Sequence, residues 1–171
     1  MMKIETKRLL ITEFSLDMAE AVHRNSLDED NRRFVPDEVF ETVDEAYETI
    51  EYLMRQYDGE EGPFVYPVIT KEGLNIGYVQ LAEIEDGWEV GYHIAKEYTG
   101  QGFAGEAVEA FLPVIAKSKG IDKIYGICLQ ENIASVKVME KAGFTNLYTG
   151  IGDYQGEHRA IVKNVWECSL K

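Results

Sequence analysis

Gly100-Gln101-Gly102-Phe103-Ala104-Gly105 crowds three glycines and an alanine into six residues, directly ahead of an apolar helical pattern. Glycine costs a helix roughly 1 kcal/mol against alanine, so its clustering at a helix start needs a reason. A helix N-terminus carries unsatisfied N–H groups and the positive end of the helix dipole. Small residues there leave both open to an anion such as a phosphate. Close packing of helix on sheet, with no ligand, is the other reason, and spacing alone leaves both open. A nucleotide P-loop is excluded, because "GQGFAGEA" has no lysine after its glycines. A dinucleotide fingerprint belongs to an early parallel unit, whereas this segment follows a run of strands past the middle of the chain. Two titratable residues lie just upstream. In "WEVGYHIAK", Glu89 and His93 share one side of an alternating strand, with Trp88, Val90 and Tyr92 on the other. Histidine is a frequent proton acceptor and donor in catalysis, so both residues are candidates for moving a proton.

The elements that must position these groups follow from periodicity. "IETKRLLITEF" reads as a strand, and a helix follows from Ser15 or Leu16. The segment from Asp28 to Glu41 is irregular and broken by Pro36. Thr42 and Glu45 form a capping box. The helix it opens should carry Val43, Ala46, Tyr47, Ile50, Leu53, Met54 and Tyr57 on one face. "FVYPVIT" and "LNIGYVQLAEI" are strands joined by "KEG", and Pro67 predicts an edge or a bulge in the first. After the glycines, Val108, Phe111, Leu112 and Ile115 share a helix face. A strand from about Lys123 to Leu129 and a helix "NIASVKVMEKAG" closed by Gly143 come next. "FTNLYTGIGDY" and "RAIVKNVWECSL" are the last strands, linked through "YQGEH". The order predicts an α+β (or α/β) fold: a mixed, largely antiparallel central sheet flanked by helices, in one domain over residues 1–171.

The formal net charge is −14. Non-specific nucleic-acid binding needs clustered lysines or arginines and is not expected. An acidic field favours a cationic partner, or serves solubility alone. No apolar run is long enough for a membrane span, and "MMKIETKRLLITEF" lacks a signal-peptide core. Cys128 and Cys168 have no metal or redox spacing, which agrees with a reducing cytoplasm. His23, His93 and His158 are scattered, so no metal site is expected.

"YTGQGFAGEA" followed by "NIASVKVMEKAGF" resembles the coenzyme-A-binding core of the GNAT superfamily of N-acetyltransferases, in particular the ribosomal-protein N-terminal acetyltransferases. "TKRLLI" at the start and the order of elements extend the likeness over nearly the whole chain. The resemblance implies that backbone amides across Gly100, Gln101, Gly102, Phe103, Ala104 and Gly105 hold the cofactor pyrophosphate. His93 and Ile94 of "GYHI" would lie on the strand that pairs with the pantetheine arm. Asn132 would contact that arm, and Ser135 would sit near the thioester sulfur. Two positions depart from the pattern. Thr99 stands where the broader family prefers Gln or Arg, and Met139 stands where many members carry a tyrosine general acid. That acid role passes to Ser135, to a water, or to nobody. Acetyl-coenzyme A carries several phosphates, so local cations are expected; Lys137 and Lys141 are the candidates at the adenosine end, with Lys96 before the loop.

An N-acetyltransferase needs a neutral amine. A lysine is neutral in about one molecule in 10³ at pH 7, an α-amine in about one in ten. Glu89 is the first candidate for the base and His93 the second; a solvated sheet position and a packed histidine are the plain alternatives. Phe34, Phe40, Asp37 and Glu38, in the irregular segment, are candidates for the acceptor wall. The acceptor expected first is a protein N-terminal amine. A polyamine or aminoglycoside, and a non-catalytic acyl-coenzyme-A-binding module, remain as rivals, and a homodimer stays open.

Overall fold

The computed structural model describes residues 1–29 and 39–168. Among these, the chain begins with two short strands, β1 (Lys3–Glu5) and β2 (Leu9–Thr12), where the sequence suggested one. Thr6 turns the chain between them: its N–H donates to Leu9 O at 2.9 Å, and its Oγ1 accepts from Leu9 N at 2.9 Å. A single turn of 3₁₀ helix at Leu16–Met18 leads into α1 (Ala19–Ser26), so the regular helix starts a few residues later than expected. The next helix, α2 (Val43–Gln56), has the cap foreseen for it. Thr42 Oγ1 accepts from Glu45 N at 3.1 Å, while the Glu45 carboxylate accepts from Glu41 N at 2.8 Å. The buried stripe of α2 is narrower than its pattern: Ala46 and Ile50 are buried, whereas Val43 and Tyr47 are 38% and 41% exposed.

The remaining elements are β3 (Phe64–Thr70), β4 (Asn75–Ile84), β5 (Gly87–Ile94), α3 (Phe103–Lys119), β6 (Lys123–Leu129), α4 (Ile133–Lys141), β7 (Thr145–Tyr154) and β8 (Glu157–Glu167). The described strands form one eight-stranded sheet in the order β1-β2-β3-β4-β5-β6-β8-β7. Every neighbouring pair is antiparallel except β5 and β6, which run parallel. This is the mixed, largely antiparallel sheet flanked by helices that the element order implied. Pro67 is not at an edge, because β3 lies between β2 and β4; the irregularity it foretold falls beside it, as a register shift at Val68/Ile69.

Helices cover both faces. α1 and α2 lie over the face that carries Tyr78, Gln80 and His93. On the opposite face Phe111 of α3 meets Tyr66 at 5.6 Å between ring centroids. Val108, Phe111, Leu112 and Ile115, the predicted stripe of α3, are all completely buried against Val79, Leu81, Val90 and Ile124. Gly120 ends α3 in the left-handed conformation (φ +67°), with Ile121 N donating to Ala116 O at 2.8 Å. This is a Schellman-like stop that glycine makes without steric cost. α4 lies directly over Gly126 of β6, where a Cβ would come within 2.7 Å of Met139 Sδ. No described helix is long and apolar enough to cross a membrane.

Candidate active site

The parallel pair β5–β6 holds together at one place, Glu89 opposite Tyr125. From there toward their C-terminal ends the strands part. Gly91 to Ile94 on one side and Ile127 and Cys128 on the other line a cleft of about 990 Å³. A strand edge with no neighbour presents unpaired N–H and C=O groups, so β5 offers backbone hydrogen bonds to whatever lies in the cleft.

Two helix N-termini close the wide end. Gly100 and Gly102 have φ of +77° and +82°, the left-handed region that only glycine enters freely. Gly102 is the N-cap of α3 and supplies no side chain, so the first-turn amides have no capping partner. Gly100, Gly102, Phe103, Ala104 and Gly105 all line the cleft. Across from them Asn132 caps α4, its Oδ1 accepting from Ser135 N at 3.2 Å; that leaves its amide N–H₂ free of the cap.

Arg8 anchors the glycine segment from the far end of the chain. Its Nη1 donates to Gln101 O at 2.9 Å, its Nε donates to Glu106 Oε1 at 2.7 Å, and its guanidinium covers the Phe103 ring at 4.2 Å. Glu106 Oε2 accepts from Thr6 Oγ1 at 2.6 Å and from Arg8 N at 3.0 Å. Burial works to raise the Glu106 carboxyl, but these hydrogen bonds and the Arg8 charge together hold it below the usual range. The first turn of α3 is thus bolted to the β1–β2 turn.

Alternation along β5 sorts its side chains. Glu89 and His93 lie on the α1/α2 side. Burial pushes the Glu89 carboxyl up to about 7, against the opposing pull of Lys163, which also lines the cleft. A carboxyl titrating there holds a proton and releases it at physiological pH, as a general base requires. His93 Nε2 is 3.0 Å from Asp28 Oδ2, at ion-pair distance but outside hydrogen-bond geometry. Tyr92 lies on the other side, facing Ser135. Its phenol is pushed up to about 12, mainly by burial, with Ser135 pulling it down.

The residues expected for the cofactor and the base converge in part, and those expected for the acceptor wall do not join them. Glu89, His93, Ile94, Asn132, Ser135 and Lys137 line the same cleft as the glycines. Gln101 does not line it, and its carbonyl is held by Arg8. Lys141 lies outside the lining too, with its Cδ about 4.0 Å from where a Gly105 Cβ would be, and Lys96 does not reach it. Met139 is buried, and its Sδ accepts from Asn164 Nδ2 at 3.3 Å. Phe40 lines a second cavity beneath α1 and α2. Phe34, Asp37 and Glu38 lie outside the described residues. Sequence reasoning missed Tyr92, Asp28, Lys163 and Arg8. Only Arg8 had a signal, as part of the "TKRLLI" likeness. No group of metal-ligating side chains occurs among the described residues.

These features fit a nucleotide-like thioester cofactor: capless helix amides at a left-handed glycine turn, and a strand edge open along the cleft. Comparison with known proteins agrees. The acetyltransferase (GNAT) domain family matches residues 8–145. An uncharacterized N-acetyltransferase of Bacillus subtilis, YnaD, is 29% identical over 144 residues, covering 83% of this chain and 82% of that protein. A GNAT-family acetyltransferase from Bacillus anthracis superposes with a TM-score of 0.80 at 26% identity, over 97% of this chain and 98% of that one. RimL, a ribosomal L7/L12 α-N-protein acetyltransferase solved in complex with coenzyme A, shares the fold with a TM-score of 0.83 at 16% identity, over 99% of this chain and 100% of its own.

Proposed function

The chain belongs to the GNAT family of acetyltransferases, enzymes that use acetyl-coenzyme A, and from that premise we propose that its acceptor is a protein N-terminal amine. The observation that carries the proposal is the Glu89 carboxyl at the narrow end of the cleft, raised to about 7. A base of that strength is matched to an α-amine near 8, with about one pKa unit to cross. Taking the proton from a lysine near 10.4 would be uphill by over three units, about 4–5 kcal/mol. RimL, an α-N-protein acetyltransferase that shares this fold, supplies a precedent.

When bound, acetyl-coenzyme A supplies the acetyl group and a thiolate leaving group. The amides of Gly102 to Gly105 bind the pyrophosphate, and Lys137 adds positive charge nearby. Asn132 and the open edge of β5 hold the pantetheine arm. Glu89 accepts the proton of the attacking amine, directly or through water, with His93 beside the same path. On the opposite side of β5, Ser135 and the Tyr92 phenol remain protonated at neutral pH and can hydrogen-bond the departing sulfur.

The test is thiol release from acetyl-coenzyme A with an N-terminal peptide, an Nα-blocked lysine peptide and spermidine as acceptors. The N-terminal peptide is expected to show the highest kcat/KM at pH 7. Preference for the lysine peptide overturns the acceptor assignment. Coenzyme A binding with no thiol release from any amine returns the non-catalytic alternative.

A further inference from the structure

The second cavity, about 280 Å³, lies under α1 and α2 on the Glu89/His93 side of the sheet. Its wall carries Phe14, Val22, Phe40, Ile50, Leu53 and Val65, and among the described residues no Asp, Glu, Lys or Arg contributes to it. Two of its polar residues are already committed to the fold through their side chains. Asn25 Nδ2 donates to Asn75 O at 2.9 Å; Ser26 Oγ donates to His23 O at 2.8 Å and accepts from Phe40 N at 3.0 Å. Tyr78, Gln80 and His93 line this cavity and the coenzyme cleft alike, so the two spaces share a wall. Asn75 Nδ2 is buried in the cavity wall as a donor with no hydrogen-bond partner.

Each feature restricts the occupant. An apolar wall rewards an apolar body roughly in proportion to the area it removes from water. The described residues that line the cavity offer a second ammonium no carboxylate, and burying an unpaired charge is heavily penalised. A single amine is accommodated at the wall shared with the cleft, where Gln80 and His93 supply the polar groups. The orphaned Asn75 donor suits a carbonyl on the same molecule. The volume is at the lower limit for small-molecule sites, about 300 Å³. That is room for one residue rather than for a bulky polycation.

We propose that the acceptor is an N-terminal residue with an aliphatic or aromatic side chain, which enters this cavity while its amine faces the coenzyme cleft. The proposal rests on the acetyl-transfer reading above and narrows its substrate class. The acidic residues that line the cleft, Glu85, Asp86, Glu89 and Asp153, lie outside this cavity and confer no preference for a polyamine within it.

The probes are leucinamide, glycinamide and spermidine, assayed by thiol release at saturating acetyl-coenzyme A. Filling an apolar pocket discriminates by tenfold or more per added group. The kcat/KM for leucinamide should therefore exceed that for glycinamide at least tenfold, with spermidine no better than glycinamide. Val22→Trp, which fills the cavity from α1, should bring the leucinamide/glycinamide ratio close to one while coenzyme A affinity by calorimetry is retained. Thr49→Phe, from α2, makes the same test should the first variant fail to fold. Glycinamide and spermidine turned over as well as leucinamide overturn the cavity assignment and leave acetyl transfer standing. No turnover of any amine, and no binding of leucinamide to the protein saturated with coenzyme A, overturns both.

Discussion

Glu89→Gln removes a carboxyl that burial has raised to about 7 and leaves its shape in place. With a base near 7 and an α-amine near 8, Glu89 takes the proton productively when its carboxyl is ionised and the amine still protonated. That combination holds for about one encounter in eleven at pH 6, about one in two at pH 8 and about one in eleven again at pH 9. The kcat/KM of the native protein should therefore rise only about fivefold between pH 6 and pH 8 and fall again by pH 9, whereas that of the variant, which must wait for a neutral amine, should rise about 50-fold between pH 6 and pH 8. At pH 8 the variant should also be slower by the 10²–10⁴-fold typical of general-base catalysis. The assay is thiol release with one N-terminal peptide at subsaturating peptide and saturating acetyl-coenzyme A, from pH 6 to pH 9.

Stability supplies an independent check with the opposite sign. The folded state holds the Glu89 proton more tightly than the unfolded chain does. This carboxyl's contribution is most favourable below about pH 4.5 and declines as pH rises to about 7. The decline is at most on the order of 3 kcal/mol for a shift of this size. Glu89→Gln removes it, so above pH 7 the variant should melt at or above the native temperature, and lost activity cannot be blamed on unfolding. Superimposable pH–rate profiles would refute the assignment and pass the role to His93, whose ring nitrogen stands beside Asp28.

Gly102→Val puts a β-branched residue at φ +82°, a strain of about 1–2 kcal/mol or more in the left-handed region. It should lower the melting temperature modestly and abolish coenzyme A binding in calorimetry; unchanged affinity in the folded variant would remove the loop from the site. Asn132→Ala loses the cap on Ser135 N, worth about 1 kcal/mol. Coenzyme affinity should fall by more than that, whereas a lower melting temperature with equal affinity leaves only the cap. Arg8→Met keeps a stem over Phe103 but frees Gln101 O and Glu106. The KM for acetyl-coenzyme A should rise several-fold with kcat within about twofold, since Arg8 is on neither side of β5. The depressed Glu106 carboxyl contributes stability that is present above the usual carboxylate range and lost as pH falls through its folded value. Acid denaturation of Arg8→Met should show less of that loss.

What the sequence made legible was local. The α3 stripe, the Thr42 cap and the glycine segment each lie within one element or its end, and each is where pattern placed it. Two near-misses have tertiary causes. The apolar stripe of α2 includes Val43 and Tyr47, yet the sheet beneath is reached mainly through Ala46 and Ile50. Pro67 suggests an edge only if the neighbour on that side is unknown, and β2 comes from the other end of the N-terminal half. The contacts with no sequence signature are those between distant segments. Arg8 meets Glu106 across nearly a hundred residues, and Asp28 reaches His93 from beyond the end of α1. Charge pattern shows that such residues exist, and only the assembled sheet shows which of them pair.

One strand carries the division of labour in the cleft, because side chains along β5 alternate. Glu89, Gly91 and His93 lie on the α1/α2 side of the sheet, where the proposed base meets the amine, and of the three His93 also lines the cavity under those helices. Tyr92, with Ser135 of α4 opposite it, faces the other side, where a departing sulfur would be met. The environments push these groups in a useful relation. Burial raises Glu89 into the physiological range but lifts the Tyr92 phenol to about 12, so the phenol keeps its proton throughout the range in which the carboxyl gives its own up and takes it back. Gly91 between them is as much a part of the arrangement. A Cβ there would stand 2.7 Å from Gln80 Nε2, so the missing side chain is what lets Gln80 lie across β5 into the wall shared by the cavity and the cleft. Shifting β5 by one residue would carry Glu89 to the α3 side and Tyr92 to the acceptor side, and the eight-pair antiparallel register with β4, from Gly77↔Ile94 to Ile84↔Gly87, holds the strand against that slip.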